Sequence, residues 1–263
     1  VSALRVFDDW KDRLKEEVGA EPSVMVEGMA AQLRKRGWEA KEPNPVPVPA
    51  EQWRDRQFVG RQAEYRALYD TWEAIHHFRP RHYLITGDSG VGKTTLAQRL
   101  VTAAGLEGAS VSRVQCYQME QRLPFAAIAG LVRGLLGQPG IAATSPDALA
   151  EIARLVPQTA LRFPNLPRAK ESEGETARLL FADALVDLLE AVMNEKPLLL
   201  VLDDLHHADE ASAAVLHFIL RRISSSRAMV IVTARVDSAL SSQARRFVEE
   251  VTPAFASRID VKP

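Results

Sequence analysis

The sequence predicts an α/β fold: a parallel five-stranded sheet flanked by helices, preceded by a short N-terminal helical pair. Three observations predict it. Strand-like and helix-like segments alternate from residue 53 to residue 263, the pattern of a parallel sheet whose crossovers are helices. Three strand candidates, 110–117, 198–202 and 229–233, are mostly apolar and rich in Val, Ile or Leu, as strands covered on both faces are. A glycine-rich turn stands between the strand candidate 83–86 and the helix that follows it.

The elements follow in chain order. Residues 1–38 read as two helices. Leu4, Phe7, Leu14 and Val18 recur at near-helical spacing, with Trp10 on a similar face. Gly19 is suited to the position after a helix end, Ser23 to the cap of a second helix running to Arg36, and Gly37 to its stop. Such a pair needs a neighbour to bury its apolar faces. Residues 39–52 carry Pro43, Pro45, Pro47 and Pro49, which favours a semi-rigid extended linker and a domain boundary. Residues 53–263 form the sheet domain, with strands at 83–86, 110–117, 198–202, 229–233 and 259–261. Helices are expected at 62–78, 93–104, 125–136, 147–156, 175–195 and 210–224. In the fifth of these Phe181, Leu185, Leu188, Leu189 and Val192 line one face.

The bulk numbers are those of a globular chain with room for one sizeable domain and an accessory piece: 263 residues, 46% hydrophobic and 25% charged. No run approaches the ~18 consecutive apolar residues of a membrane helix, and the first residues lack the pattern of a signal peptide. A start at Val1 suggests a segment excised from a longer protein. The single cysteine, Cys116, excludes an internal disulfide framework or a Cys-based zinc cluster and reads as a small core residue; a cytoplasmic protein is the simplest expectation. A net charge of −1 gives no nucleic-acid footprint. The basic residues at 34–36 and 221–222 sit at expected helix C-termini, where cations complement the helix dipole.

The chemistry concentrates in four motifs. Gly87-Asp88-Ser89-Gly90-Val91-Gly92-Lys93-Thr94, followed by Thr95, matches the P-loop (Walker A) pattern G-x-x-x-x-G-K-[ST]. Glycines let backbone N–H groups wrap a phosphate, and the following helix presents its positive end to the same anion. Lys93 supplies a point charge to the β- and γ-phosphates, and Thr94 a hydroxyl for Mg²⁺. The run 198–204, five apolar residues ending in Asp203 and Asp204, reads as an acidic strand end. Asp203 is the Mg²⁺ ligand, direct or through water, and Asp204 the general base for the attacking water. Third, Arg235 ends the segment Thr233-Ala234-Arg235 on a strand beside the acids and is a candidate sensor of the γ-phosphate, against a surface arginine. Fourth, Phe58-Val59-Gly60-Arg61 precedes the first helix of the domain; the residues alone say only an apolar pair, a turn and a helix start. His206 and His207 follow the acids; a second contact to Asp204 from His206 is favoured over a zinc site with Asp209.

Together, FVGR, GDSGVGKTT, LLLVLDDLHHAD and VTAR resemble the signal-transduction ATPases with numerous domains (STAND), an AAA+-like branch of the P-loop NTPases. The nearest subgroup is the ATPase module of large bacterial transcriptional regulators, over residues 57–263. Residues 1–38, mainly the stretch RLKEEVGAEPS, resemble the end of the TPR-like bacterial transcriptional activator domain of SARP-type regulators. The resemblance implies a P-loop NTPase core, ATP or ADP with Mg²⁺ as cofactors, and Val59, Gly60 and Arg61, with Phe58, as adenine-side contacts. It makes Arg235 the sensor after the fourth strand. Asp204 stands where many relatives carry Glu, and His207 replaces an expected aromatic. The chain stops at Pro263, before the helical lid that the resemblance implies.

The functional expectation is a regulatory ATPase switch of a multidomain transcriptional regulator, with slow Mg²⁺-dependent hydrolysis controlling conformation or oligomerisation. Its expected partners are nucleotide, DNA-binding and effector domains of the same polypeptide, and a nucleotide-dependent homo-oligomer. Neither a membrane nor direct nucleic-acid contact by this segment is expected. The competing readings are a P-loop small-molecule kinase and an interaction module whose nucleotide is structural.

Overall fold

Why the β-strands form here follows from their content: each central strand is an uninterrupted apolar run with no solvent face. The computed structural model describes Lys11 and residues 60–77, 82–169, 171–223, 227–235, 248–249, 252–255 and 257–262. The chain falls into two units, Val1–Gln57 and Phe58–Pro263, and every element below belongs to the second. The expected N-terminal helical pair and proline linker lie outside the described residues, Lys11 apart.

In chain order the elements are α1 (Gln62–Ile75), β1 (Tyr83–Thr86), α2 (Lys93–Leu106), β2 (Ser110–Gln115), α3 (Ala126–Leu135), α4 (Pro146–Leu155), α5 (Gln158–Arg162), α6 (Gly174–Glu195), β3 (Leu198–Asp203), α7 (Glu210–Arg222), β4 (Ala228–Ala234) and β5 (Ser257–Asp260). The five strands make one parallel sheet in the order β2-β3-β4-β1-β5. The expected α/β architecture, a parallel five-stranded sheet flanked by helices, is the one observed. Two strands, β3 and β4, separate β1 from its sequence successor β2. The crossover through α2 therefore spans half the sheet and brings the turn after β1 over the ends of β4 and β3.

Register aligns the strand ends that matter. Thr86 of β1 pairs with Ala234 of β4 and with Asp260 of β5, while Gln115 of β2 pairs with Asp203 of β3. All five C-terminal ends thus meet along one edge, where ligands of open α/β sheets bind.

Side chains alternate across the sheet and sort the interior into two cores. Leu198, Leu200 and Leu202 of β3, with Val230 and Val232 of β4, pack under α3, α6 and α7. Leu199 and Val201, with Met229 and Ile231, face Leu68, Trp72 and Ile75 of α1 and Leu96 and Leu100 of α2. Each fully buried aliphatic side chain contributes about 1.5–3 kcal/mol. Helix α1 is held to α2 by Glu107, whose carboxylate accepts from Trp72 Nε1 at 2.7 Å and Tyr69 Oη at 2.8 Å.

Element ends differ from expectation by one to three residues, for local reasons. Helix α4 begins at Pro146 because the Ser145 hydroxyl accepts from the Ala148 N–H and proline is suited to the first helical position. Phe125 stands outside α3 with φ of 64°. Strand β5 starts two residues early, at Ser257, through pairing with β1. The short α5 was not expected; its five residues have no side-chain cap. His76 and His77 are exposed as expected, but lie in a turn after α1. Cys116 is buried, and burial pushes its thiol up to about 12.

His82 supplies a pH test of this core. It is buried at the entrance to β1, its Nδ1 accepts from the Val230 N–H at 3.2 Å, and Nε2 has no partner among the described residues. Burial lowers its pKa from 6.5 to about 4. Between those values the unfolded chain binds a proton that the folded chain refuses, so stability falls as pH drops from 6.5 towards 4. The full loss is about 3 kcal/mol. His82→Asn keeps an acceptor for Val230 but cannot titrate; urea melts at neutral and mildly acidic pH should show most of this loss in the wild type and little of it in the variant.

Candidate nucleotide-binding site

The turn after β1 is shaped by its glycines. Gly87 has φ of 148° and lies so close to the chain beyond β5 that an added Cβ would meet the Val261 carbonyl oxygen at 2.3 Å. Gly92 has φ of 100° and precedes α2 without any side-chain cap. The first N–H groups of this 14-residue helix are therefore left for something other than a side-chain cap to satisfy. Lys93 is buried and folds back under the turn, its Nζ donating to the carbonyls of Gly87 at 3.0 Å and Asp88 at 2.7 Å. Asp88, Ser89 and Gly90 form the exposed crest, and Val91 leans into the α1–α2 core. A concave backbone, a helix start and a buried ammonium form an anion cradle.

Beside it stands Asp203, fully buried at the end of β3. Its Oδ1 accepts from Thr94 Oγ1 at 3.0 Å and Thr233 Oγ1 at 2.5 Å. Its Oδ2 accepts from Arg113 Nη2 at 2.9 Å. Four elements, β2, α2, β3 and β4, are joined at one carboxylate. Thr94 and Asp203 are hard oxygen donors of the kind Mg²⁺ takes. The Thr94 proton is spent on Asp203, which leaves the hydroxyl lone pairs for a cation. The residues present therefore fit a magnesium ion. Among the described residues no group of three His, Cys, Asp or Glu could hold another kind of metal.

Asp204 follows with φ of 57° and ψ of 47°. Its N–H donates to Thr233 Oγ1 at 2.9 Å, and Gln115 Nε2 reaches its Oδ2 at 3.4 Å. Burial, and then the neighbouring Asp203 charge, push its carboxyl above the usual carboxylate range, which strengthens it as a base.

The remaining candidates divide. Arg61 donates to the Lys262 carbonyl and to Glu64 at 3.2 Å, which ties the start of α1 to the chain beyond β5. Gly60 is exposed with φ of 87°. Phe58 and Val59 lie outside the described residues. Thr95 is half-buried one step into α2. Arg235 is anchored by its backbone, its N–H donating to His206 Nδ1 at 3.3 Å. The rings of His206 and His207 sit 4.1 Å apart, and Asp209 is engaged as the cap of α7.

Sequence reasoning missed Thr233 and Arg113. Neither stands out in the sequence, because their roles appear only once β2 and β4 are placed on either side of β3. A separate groove of about 750 Å³, lined in part by Phe125, Leu179 and Phe218, lies away from the P-loop. Asp209 lies at its edge, and its Oδ1 accepts from the Phe125 N–H at 2.8 Å.

A family model described as AAA ATPase domain matches residues 57–232. The chain belongs to the AAA ATPase domain family. No curated protein matches it. Among solved structures it is similar to the Aeropyrum pernix ORC2 protein in ADPNP–ADP complexes, with TM-score 0.44 and 19% identity, covering 78% of this chain and 48% of that one. It is also similar to C. elegans PCH-2, with TM-score 0.36 and 12% identity over 75% of this chain and 41% of that one. A third is Drosophila ORC bound to AT-rich DNA and Cdc6, with TM-score 0.40 and 15% identity over 76% and 54%. The chain spans about half the length of these structures. As an AAA ATPase domain it is a nucleotide-binding ATPase module, and the cradle at 87–95 is the element of it that suits a polyphosphate.

The geometry of that cradle can be tested by two alanines. Gly87→Ala drives a Cβ into a backbone oxygen, whereas a Cβ at Gly90 meets nothing within 4 Å. Gly87→Ala should lower the melting temperature by roughly 5 °C or more and weaken ADP binding, with Gly90→Ala milder in both; differential scanning calorimetry and isothermal titration measure the two effects.

Proposed function

We propose that this AAA ATPase domain is an ATP/ADP-dependent regulatory switch, with slow Mg²⁺-dependent hydrolysis controlling conformation or oligomerisation of a multidomain transcriptional regulator. The observation that carries the reading is the carboxylate of Asp203, bonded at once to the P-loop threonine and to the sensor end of β4. A change at the phosphate cradle is felt directly at β4.

The residues divide the work. The N–H groups at 88–95 and the Lys93 ammonium hold the phosphates. Thr94 and Asp203 hold Mg²⁺, which neutralises charge on the phosphates when bound. Asp204 orients a water and takes its proton, and its raised proton affinity suits that task. Thr233 keeps both acids in place. Arg235 senses the γ-phosphate from a backbone anchored on His206. Phe58, Val59, Gly60 and Arg61 border the base. Because Asp204 is one methylene shorter than Glu, its reach to water is reduced, which supports slow turnover.

The wider organisation belongs to the same proposal. Residues 1–38 are the end of a TPR-like activator domain of the SARP type, and 39–52 are the linker that passes the nucleotide state to it. DNA-binding and effector domains of the same polypeptide, and further copies of this chain, are the partners, in the cytoplasm. Among the described residues no helix is long and apolar enough to cross a membrane.

Three measurements test this reading. Denaturation of the purified protein should release ADP or ATP, or titration calorimetry should show binding in Mg²⁺; absence of both would overturn it. Lys93→Ala should abolish that binding. Asp204→Asn should keep ADP affinity within a few-fold and lower phosphate release by about a hundredfold, since asparagine also tolerates a positive φ. Inorganic phosphate formed without any added acceptor separates an ATPase from a small-molecule kinase.

A further inference from the structure

Arg113 is the charged residue of β2 nearest the acids, and its surroundings are unusual for a strand interior. It pairs with Val201 of β3, two residues before the Gln115–Asp203 pair. It therefore faces the same side of the sheet as Asp203. Its guanidinium forks. Nη2 donates to Asp203 Oδ2 at 2.9 Å, and Nη1 to Gln98 Oε1 at 2.5 Å. Gln98 stands one turn after Thr94 on α2, so both partners of the fork belong to elements that carry the phosphate and metal residues. The Arg113 side chain is 25% exposed and that of Asp203 is 0% exposed. An arginine cannot lose its proton here, so this is a permanent countercharge.

We infer that Arg113 is a positioning residue that neutralises Asp203 and thereby sets the Mg²⁺ dependence of nucleotide binding. The inference rests on the nucleotide reading above and adds a residue to it. The two carboxylates at the site, Asp203 and Asp204, are matched by two cations, Lys93 and Arg113. A divalent ion approaching this balanced cluster gains little until the phosphates bring negative charge of their own. On this balance Thr94 and Asp203 would hold Mg²⁺ firmly only together with the phosphates. Arg113 also fixes the Asp203 carboxylate with Oδ1 turned to Thr94 and Thr233. Replacement of the guanidinium by a neutral amide removes the countercharge and exposes the acid's full charge to the metal.

The experiment is ADP titration by calorimetry at a series of Mg²⁺ concentrations, with an EDTA baseline, on the wild type, Arg113→Gln and Arg113→Lys. The Mg²⁺ midpoint should fall about tenfold in Arg113→Gln, the size of one unit charge a few ångströms away in a partly screened site. It should stay near the wild-type value in Arg113→Lys, which keeps the charge. An unchanged or higher midpoint in Arg113→Gln, or an equal shift in both variants, would overturn the inference. Should Arg113→Gln fail to fold, Gln98→Glu takes its place: it leaves Asp203 and the guanidinium intact and adds a negative charge beside Arg113 that offsets the countercharge. A midpoint about threefold lower there supports the inference, and an unchanged one overturns it. If the wild type binds no ADP at any Mg²⁺ concentration, the nucleotide reading itself fails; ADP binding with an unmoved midpoint defeats only the role of Arg113.

Discussion

A carboxylate with no exposure to water cannot stay charged without partners, and this constraint organises the site. Asp203 has three donors, from α2, β4 and β2. Removal of one partner of a buried pair typically costs about 3–5 kcal/mol, because it strands a charge in low dielectric. The three donors are thus mutually dependent. Thr94 must be at the first turn of α2, which requires the turn 87–92 to close tightly. Thr233 must be at the end of β4, which requires β4 to lie between β3 and β1. Arg113 must come from β2, on the far side of β3. The strand order β2-β3-β4-β1-β5 satisfies all three at once.

The same order explains why the central strands carry so little polarity. β3 and β4 are buried along their whole length, and both faces are covered by helices. The polar residues at their C-terminal ends, Asp203 and Thr233, are tolerated because they bond to each other and to the N–H of Asp204. Polar groups at these ends that satisfy one another lose little on burial. The functional edge of the sheet is therefore also the place where the sheet can afford hydrophilic side chains.

Much of the architecture was legible because it rests on local patterns. The runs 198–202 and 229–233 read as doubly covered strands from their apolar content, and the turn at 87–92 announces both its own shape and the helix after it. The pair Asp203 and Asp204 was legible for the same reason, as acids ending an apolar run. Long-range partners were not. Arg113 looks like one charge in a strand until the register with β3 is known, and Thr233 looks like an ordinary β-branched strand residue until β4 is placed beside Asp203. The bond from His206 to the Arg235 N–H depends on how the turn after β3 folds back on β4, which no spacing rule encodes. Boundaries slipped where capping decided them, as at Ser145, where one hydroxyl sets the first residue of α4.

The short turn after the acids binds these pieces together. It opens with Asp204 in a left-handed conformation, passes through the 3₁₀ turn Leu205–His207 and ends at Asp209, the cap of α7. Along that path Asp204 is bonded to β4, His206 to the residue after β4, and Asp209 to the residue before α3. Six residues thus touch three elements, and Leu205 and His206 are buried among them. A segment held at so many points in a close-packed interior has few ways to adjust by small steps. Its hydrogen bonds join β4, α3 and α7 into one packed unit around the end of β3. The positive φ at Asp204 lets the chain leave the end of β3 and turn at once into the 3₁₀ segment that carries these contacts.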